Sequence, residues 1–369
     1  MAPGSRCPSE ELPVKPRAVI IGGGMAGLAT AHALARRGVR TTLVEQYELH
    51  HSRGSSHGST RIFRLSYDEP HWIRMAVDAL GSWRELERDC GRRLLDQSGS
   101  LEWGRDFHRQ AAALRQCDVE AELLDAGSAL SRERVALGEG VTALRQADGG
   151  VALAHETLRA FEQLGRAAGA EILTGTIATG VTSTGERATV RIATGSLEAD
   201  VAVVTVGGWA PGLLASAGIS VPLSVTRETV AYFRAPRAWP GASLIDWRAP
   251  HEVGLSLRDV GESIYALGDP TFGLKVGVHR AGRETDPDDD VVVDSEAVKA
   301  MSAWVTRHCP FADPEPVCAD SCIYTSTPDE SFALRRFDRI VVGSACSGHG
   351  FKFAPLVGNT LASLACELL

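Results

Sequence analysis

Ala18-Val19-Ile20-Ile21-Gly22-Gly23-Gly24-Met25-Ala26-Gly27 decides the fold of this 369-residue chain. Four apolar residues in a row read as a strand buried on both faces, as in a parallel sheet. The glycines break it. From Gly27 to Arg37 the pattern is helical, with Leu28, Ala31 and Leu34 on one face and Gly38 as terminator. Thr41-Thr42-Leu43-Val44 then reads as a second strand that closes on Glu45. The opening is therefore a β-α-β unit.

Each glycine of Gly22-x-Gly24-x-x-Gly27 has a physical task. Gly22 permits a tight turn, Gly24 lets the backbone approach a pyrophosphate, and Gly27 lets the helix pack close to the strand. The helix N-terminus, at Met25 and Ala26, presents free amides and the positive end of its dipole to the phosphates. Glu45 lies 23 positions after Gly22, near the ~20 at which an acidic residue meets ribose hydroxyls. The same carboxylate would repel a 2′-phosphate, which disfavours NADP. Glycines alone make a weak motif. With the strand, the helix and Glu45 around them they mark a dinucleotide site.

The other end of the chain repeats the pattern. Ile340-Val341-Val342 runs into Gly343, and then into Ser347-Gly348-His349-Gly350-Phe351-Lys352-Phe353. This second glycine-rich turn is expected to bring Gly348, His349, Gly350, Phe351 and Lys352 to the same cofactor. Between the two, residues 72–89 and 155–168 read as helices and Glu171–Leu173 as a strand. Val190–Ala193 and Val201–Val206 read as a hairpin that feeds a further buried strand. Alternating strand signals run from 222 to 280, and a helix from 294 to 308 follows the solvated acidic loop Asp286–Asp290.

The fingerprint does not separate FAD from NAD, but three features favour FAD. Strands return near 201–206 and 340–343, so the nucleotide domain is discontinuous. Arg53-Gly54-Ser55-Ser56-His57-Gly58-Ser59-Thr60-Arg61 places small polar residues and arginines where a pyrophosphate and an isoalloxazine could lie. Arg53, Ser59 and Thr60 are accordingly expected at the cofactor, with Ile177 further on. The C-terminal turn would supply the far wall of an extended cofactor.

Composition narrows the partners. The chain is 44% hydrophobic and 23% charged, with a formal net charge of −8 and no basic tract, which argues against nucleic acid. No window approaches the ~18 apolar residues of a membrane span. Met1–Pro16 is polar and lacks the apolar core of a secretory signal, so it reads as a disordered tail on a cytoplasmic protein. Eight cysteines in this length are not a disulfide framework. Cys318 and Cys322, the close pair, lack the partners of a zinc site.

Four segments beyond the glycines resemble the monomeric sarcosine oxidase and N-methyltryptophan oxidase family, flavoenzymes of the glycine/D-amino acid oxidase fold group. They are His57-Gly58-Ser59-Thr60-Arg61-Ile62-Phe63-Arg64, Gly273-Leu274-Lys275-Val276-Gly277-Val278-His279, Cys322-Ile323-Tyr324-Thr325 with Asp329 and Phe332 beyond, and Ser347 to Phe353. The resemblance spans roughly residues 17–366. It implies an α/β chain, α+β overall, with a discontinuous FAD-binding Rossmann-like domain and a second, mainly antiparallel β-sheet substrate domain. The expected division is 1–16 tail; 17–85, 150–220 and 320–369 FAD-binding; 86–149 and 221–319 substrate-binding.

The same resemblance implies residue roles. Cys322 aligns with a cysteine joined through sulfur to the 8α-methyl group of FAD. Lys275 aligns with a lysine near flavin N5, where a fixed cation stabilises the anion that develops as O2 is reduced. Arg64 and Lys352 align with the pair that grips a substrate carboxylate. Arg61 aligns with an arginine packed on the flavin ring, His279 with a substrate-side histidine, and His349 lies by the flavin. Tyr324 lines the pocket. The implied reaction oxidises a C–N bond of a small amino acid and reduces O2 to H2O2, in a monomer or small homo-oligomer.

The chain departs from that family at its substrate end. Ile264-Tyr265-Ala266-Leu267 stands where two adjacent tyrosines are usual, Leu244-Ile245-Asp246-Trp247-Arg248 does not match the usual pocket lid, and Cys346 replaces a phenylalanine. The cofactor machinery thus reads as retained and the substrate pocket as altered, which points to a bulkier or cyclic secondary amino acid. Three other readings stay open: a dehydrogenase with another electron acceptor, a tRNA-modifying flavoprotein, and a protein that holds FAD structurally.

Overall fold

The computed structural model describes residues 15–236, 241–248 and 263–369. The expected tail therefore falls, but for its last two residues, outside the described residues. Arg17–Ile21 sits inside a six-stranded sheet ordered Ala333–Phe337, Ile340–Ser344, Val201–Val204, Arg17–Ile21, Arg40–Val44, Glu171–Leu173. All neighbours run parallel except the edge strand Ala333–Phe337.

The unbroken apolar run has a direct cause. Ala18 and Ile20 point into one core, with Leu28 and Leu34 of the helix Met25–Arg36, Phe161 of the helix Ala154–Ala167, and Leu361 of the helix Ala354–Cys366. Val19 and Ile21 point the other way, into a core shared with Val181, Val190 and Leu214. A strand covered on both faces has no position for a polar residue.

The hairpin expected between 190–193 and 201–206 is not formed. Ala188–Ile192 pairs instead with Gly195–Ala199, and both join Ala178–Ser183 in a separate three-stranded sheet. Val201–Val204 enters the parallel sheet beside Arg17–Ile21. The tight turn is at Ala193-Thr194, and the alternation of Ser196 and Glu198 with Leu197 and Ala199 marks a half-exposed strand that the sequence reading passed over.

The second large sheet has nine strands. Along its main path lie Arg283–Glu284, Ser224–Arg234, Gly273–His279, Ser263–Asp269, Ser243–Asp246, Ser100–Trp103, Ala143–Gln146 and Glu122–Leu124. Pro316–Ser326 also pairs along Ser224–Arg234. It is antiparallel except where Ser243–Asp246 meets Ser100–Trp103. The helix Ser295–His308 covers it with Met301 and Trp304, and its N-cap Asp294 accepts from the amides of Glu296 and Ala297. A small sheet of Thr60–Phe63, Gly150–Leu153 and Leu95–Asp96 carries Arg61.

The strand-to-helix turn tolerates nothing larger than hydrogen at Gly27, where a Cβ would sit 1.8 Å from the carbonyl oxygen of Gly22. Gly27→Ala is expected to destabilise the chain by about 1–3 kcal/mol, because backbone rather than a side chain must give way. Urea unfolding checks this, and an unchanged midpoint would remove the packing role of Gly27.

Candidate active site

One cavity of about 760 Å³ is lined by the glycine turn and by residues from both large sheets. On the antiparallel sheet the two-residue period selects its walls. Lys275 and His279 point in from Gly273–His279, Tyr265 and Leu267 from Ser263–Asp269, and Cys322 and Tyr324 from Pro316–Ser326.

The nucleotide end is built from backbone. Gly22 has φ +99°, and a Cβ there would meet the Thr205 carbonyl oxygen at 2.6 Å. Glu45 is buried, and its two oxygens accept from the amides of Gly23 at 2.6 Å and Tyr47 at 2.9 Å, which pins the carboxylate at the cavity wall. The helix Met25–Arg36 has no acidic residue in its own first turn. Ser56 Oγ accepts from the amide of Met25 at 3.0 Å.

Of the residues expected at the site, all line this cavity except Gly27, Arg53 and Ser59. Gly27 serves packing. The Arg53 guanidinium lies 5.1 Å above the Tyr47 ring, and the Ser59 hydroxyl donates to Asp269. Arg61 donates to the carbonyls of Thr60, Ser55 and His57, and so ties down the loop that faces the glycine turn. Its guanidinium carbon is 5.6 Å from the Phe351 ring centre.

Lys275 is 5% exposed, and its ammonium reaches the Thr60 carbonyl at 3.5 Å. Burial, and then the positive charge of Arg61, push its pKa down to about 7. Burial pushes the Cys322 thiol up to about 11, against the pull of Arg61 and Lys275. His279 is pushed down to about 3 by burial and by Arg280, Arg64 and Lys352, so it is neutral at physiological pH. The C-terminal turn closes on this pair: a Cβ on Gly348 would sit 2.5 Å from both the His279 and the Tyr324 ring.

At the far end Arg64 and Lys352 flank one tyrosine. Lys352 Nζ donates to the Tyr67 hydroxyl at 2.9 Å, and the Arg64 guanidinium carbon is 4.4 Å from the centre of the Tyr67 ring. The Tyr67 hydroxyl also lies 3.2 Å from His349 Nδ1. Burial and the neighbouring Arg64 hold Lys352 well below the usual lysine range, while Glu102 opposes that shift. Arg64 donates to the Ser66 carbonyl and lies 3.6 Å from Glu102. An arginine beside a buried lysine whose hydrogen-bond partner among the described residues is one neutral hydroxyl is a ready site for an anion.

Sequence reasoning missed Tyr67, Arg105 and the positioning carboxylate Glu102. Tyr67 follows Arg64 by three residues, and that adjacency was the available signal. Arg105 and Glu102 come from Ser100–Trp103 and the turn after it, a stretch with no motif.

The sequence profile of the FAD dependent oxidoreductase family matches residues 17–364. The chain belongs to this family. Human peroxisomal sarcosine oxidase is 35% identical over 95% of this chain and 92% of its own length. Monomeric sarcosine oxidase of an Arthrobacter strain is 29% identical over 94% and 91%. Among solved structures, NikD, an unusual amino acid oxidase essential for nikkomycin biosynthesis, superposes with TM-score 0.84 at 27% identity, over 96% of this chain and 95% of that one. The fold is therefore that of the FAD oxidases, and the protein is an FAD-dependent amine oxidoreductase of the sarcosine-oxidase type that acts on a small molecule. The glycine turn, the uncharged first helical turn and a cavity that joins them to residues of both large sheets fit FAD. Among the described residues no helix is long and apolar enough to cross a membrane, and no cluster of His, Cys, Asp and Glu could hold a metal.

The Lys352–Tyr67 hydrogen bond yields a prediction. Tyr67→Phe removes the hydroxyl that orients Lys352 beside Arg64. Acetate, titrated into the holoenzyme and followed by flavin absorbance, should bind about tenfold more weakly, the loss of one hydrogen bond from a lysine no longer held in place. Unchanged affinity would show that Tyr67 does not hold Lys352 in its binding position.

Proposed function

We propose that the protein oxidises the C–N bond of a secondary or cyclic amino acid to an imine and passes the electrons to O2, giving H2O2. The observation that carries this reading is the convergence of Arg64, Lys352 and Lys275 on the cavity that the glycine turn lines. Bound FAD supplies the two-electron oxidant. The chain supplies the rest. Arg64 and Lys352 bind the carboxylate and so set the α-carbon at a fixed depth. Neutral His279 and Tyr324 wall the space beside it without adding charge. Lys275 holds a proton, and with it a positive charge, where negative charge develops on oxygen. Glu45 is suited to the adenosine ribose, and Cys322 to a thioether with the 8α-methyl group. In this reading residues 17–85, 150–220 and 320–369 hold the cofactor, and 86–149 with 221–319 form the substrate side.

Lys275 favours an oxidase over a dehydrogenase, since a buried cation costs stability and has no evident use with a carrier that accepts electrons elsewhere. A net charge of −8 weighs against a tRNA substrate. Release of H2O2 in a screen of N-methyl and cyclic amino acids tests the proposal, and no release from any of them would overturn it.

Attachment through Cys322 predicts that acid precipitation leaves the yellow colour with the protein and that Cys322→Ser releases it. Free FAD in the wild-type supernatant would refute the thioether.

Lys275→Met keeps much of the volume and removes the charge. Oxidation by O2 should slow by about 10²–10³-fold, with anaerobic reduction by substrate much less affected. The wild-type lysine loses its proton as pH rises through about 7, so its oxygen reaction should be fast below that pH and decline above it. The variant should be flat across the same range. Stopped-flow absorbance resolves both half-reactions, and a variant that reoxidises at the wild-type rate would return Lys275 to a structural role.

A further inference from the structure

Trp247 lines the cavity, has no part in the proposed cofactor chemistry and is held in place by several contacts. Its backbone amide donates to the Trp103 carbonyl at 3.0 Å, so the residue extends the pairing of Ser243–Asp246 with Ser100–Trp103. Its indole Nε1 donates to Glu102 Oε2 at 3.1 Å, and Glu102 is 1% exposed. The Arg105 guanidinium carbon lies 4.1 Å from the centre of the indole. Asp246, just before it, accepts from the Arg248 amide at 3.0 Å and from Trp304 Nε1 at 2.9 Å, which fixes the turn on either side.

The held ring stands beside the carboxylate grip. The Arg64 guanidinium carbon is 5.8 Å from the indole centre and 4.4 Å from the Tyr67 ring, so two aromatic rings bracket the cation expected to bind the carboxylate. A carboxylate held by Arg64 would set the carbon next to it within reach of these rings. A methylene group leaves most of a ring uncovered, whereas a ring covers it and gains the contact energy of a flat surface.

We propose that Trp247 is a specificity-determining residue, and that it selects a substrate whose α-carbon belongs to a ring over an open-chain N-methyl amino acid. This rests on the reading of Arg64 and Lys352 as the carboxylate site, and it commits that site to the cyclic class.

Two carboxylates separate the ring from the grip. Benzoate carries a ring directly on the carboxylate, as a cyclic amino acid does, and acetate carries a methyl group. Their dissociation constants are measured by calorimetry on the holoenzyme for wild type, Trp247→Phe and Trp247→Leu. The benzoate-to-acetate affinity ratio should fall about threefold in Phe and about tenfold in Leu. In turnover, kcat/KM for proline should fall by the same factors relative to that for N-methylglycine. If Leu does not fold, the step from Trp to Phe still decides. A ratio unchanged by substitution, or equal losses for both ligands, overturns the proposal. Failure to oxidise any amino acid would overturn the proposed reaction instead, and the benzoate-to-acetate ratio would still report on the wall.

Discussion

The contact on which the rest of the structure depends is the approach of Gly27 to the carbonyl oxygen of Gly22, which leaves no room for a side chain. It fixes the angle at which the helix Met25–Arg36 leaves the sheet, and therefore where the helix N-terminus points. The helix also sets the far end of the chain. A Cβ on Gly358 would lie 2.5 Å from that of Ala29, so Ala354–Cys366 lies directly against Met25–Arg36. The turn that precedes the second helix carries Gly348 to Lys352. Its position is locked once more by Trp83, whose Nε1 donates to the Lys352 carbonyl at 2.7 Å. Two glycine-mediated close contacts thus place residues more than 300 positions apart in sequence on opposite walls of one cavity.

The electrostatics of that cavity follow from burial. Arg61, Lys275, Arg64 and Lys352 all line it, and Glu102 is the carboxylate buried beside the last two. Each lysine is held below its ordinary pKa, first by loss of water and then by a neighbouring arginine. The two lysines are thus the groups whose charge a neighbouring anion can adjust. An anion bound near either lysine restores the proton that burial discourages. Binding of an anion is therefore coupled to recharging of the lysine beside it.

Much of this was legible in the sequence, and the rest was hidden for definable reasons. The glycine turn and Glu45 could be read because their spacing is local, within one β-α-β unit, whereas Lys275, Cys322 and the C-terminal turn were placed at the cavity through a resemblance carried by short contiguous segments. The Ala188–Ile192 hairpin was misassigned because Val201–Val204, the stronger apolar run, attracted the pairing that the weaker Gly195–Ala199 makes. Tyr67, Glu102 and Arg105 could not be placed at the substrate end because nothing near them in sequence resembles a motif. Glu102 and Arg105 meet Trp247 because Ser100–Trp103 pairs in parallel with Ser243–Asp246, a contact across more than 140 positions.

That division has a consequence for how the site varies. The nucleotide end is held by backbone conformation, by carbonyl oxygens and by positions where a Cβ cannot fit, so few substitutions are compatible with it. The substrate end is held by side chains from several strands, and side chains can be exchanged with little cost to the sheet beneath. The departures from the sarcosine oxidase pattern expected at 264–267, 244–248 and 346 are of the second kind. Tyr265 and Leu267 project from one strand, Cys346 lies in the loop beyond Ile340–Ser344, and Trp247 follows Ser243–Asp246 at the wall. None touches the Gly22–Gly27 contact. A chain can therefore keep the oxidising half of the site intact while the shape around the carboxylate grip changes, and Trp247, gripped through its indole N–H and its face, is where that change is most firmly built into the fold.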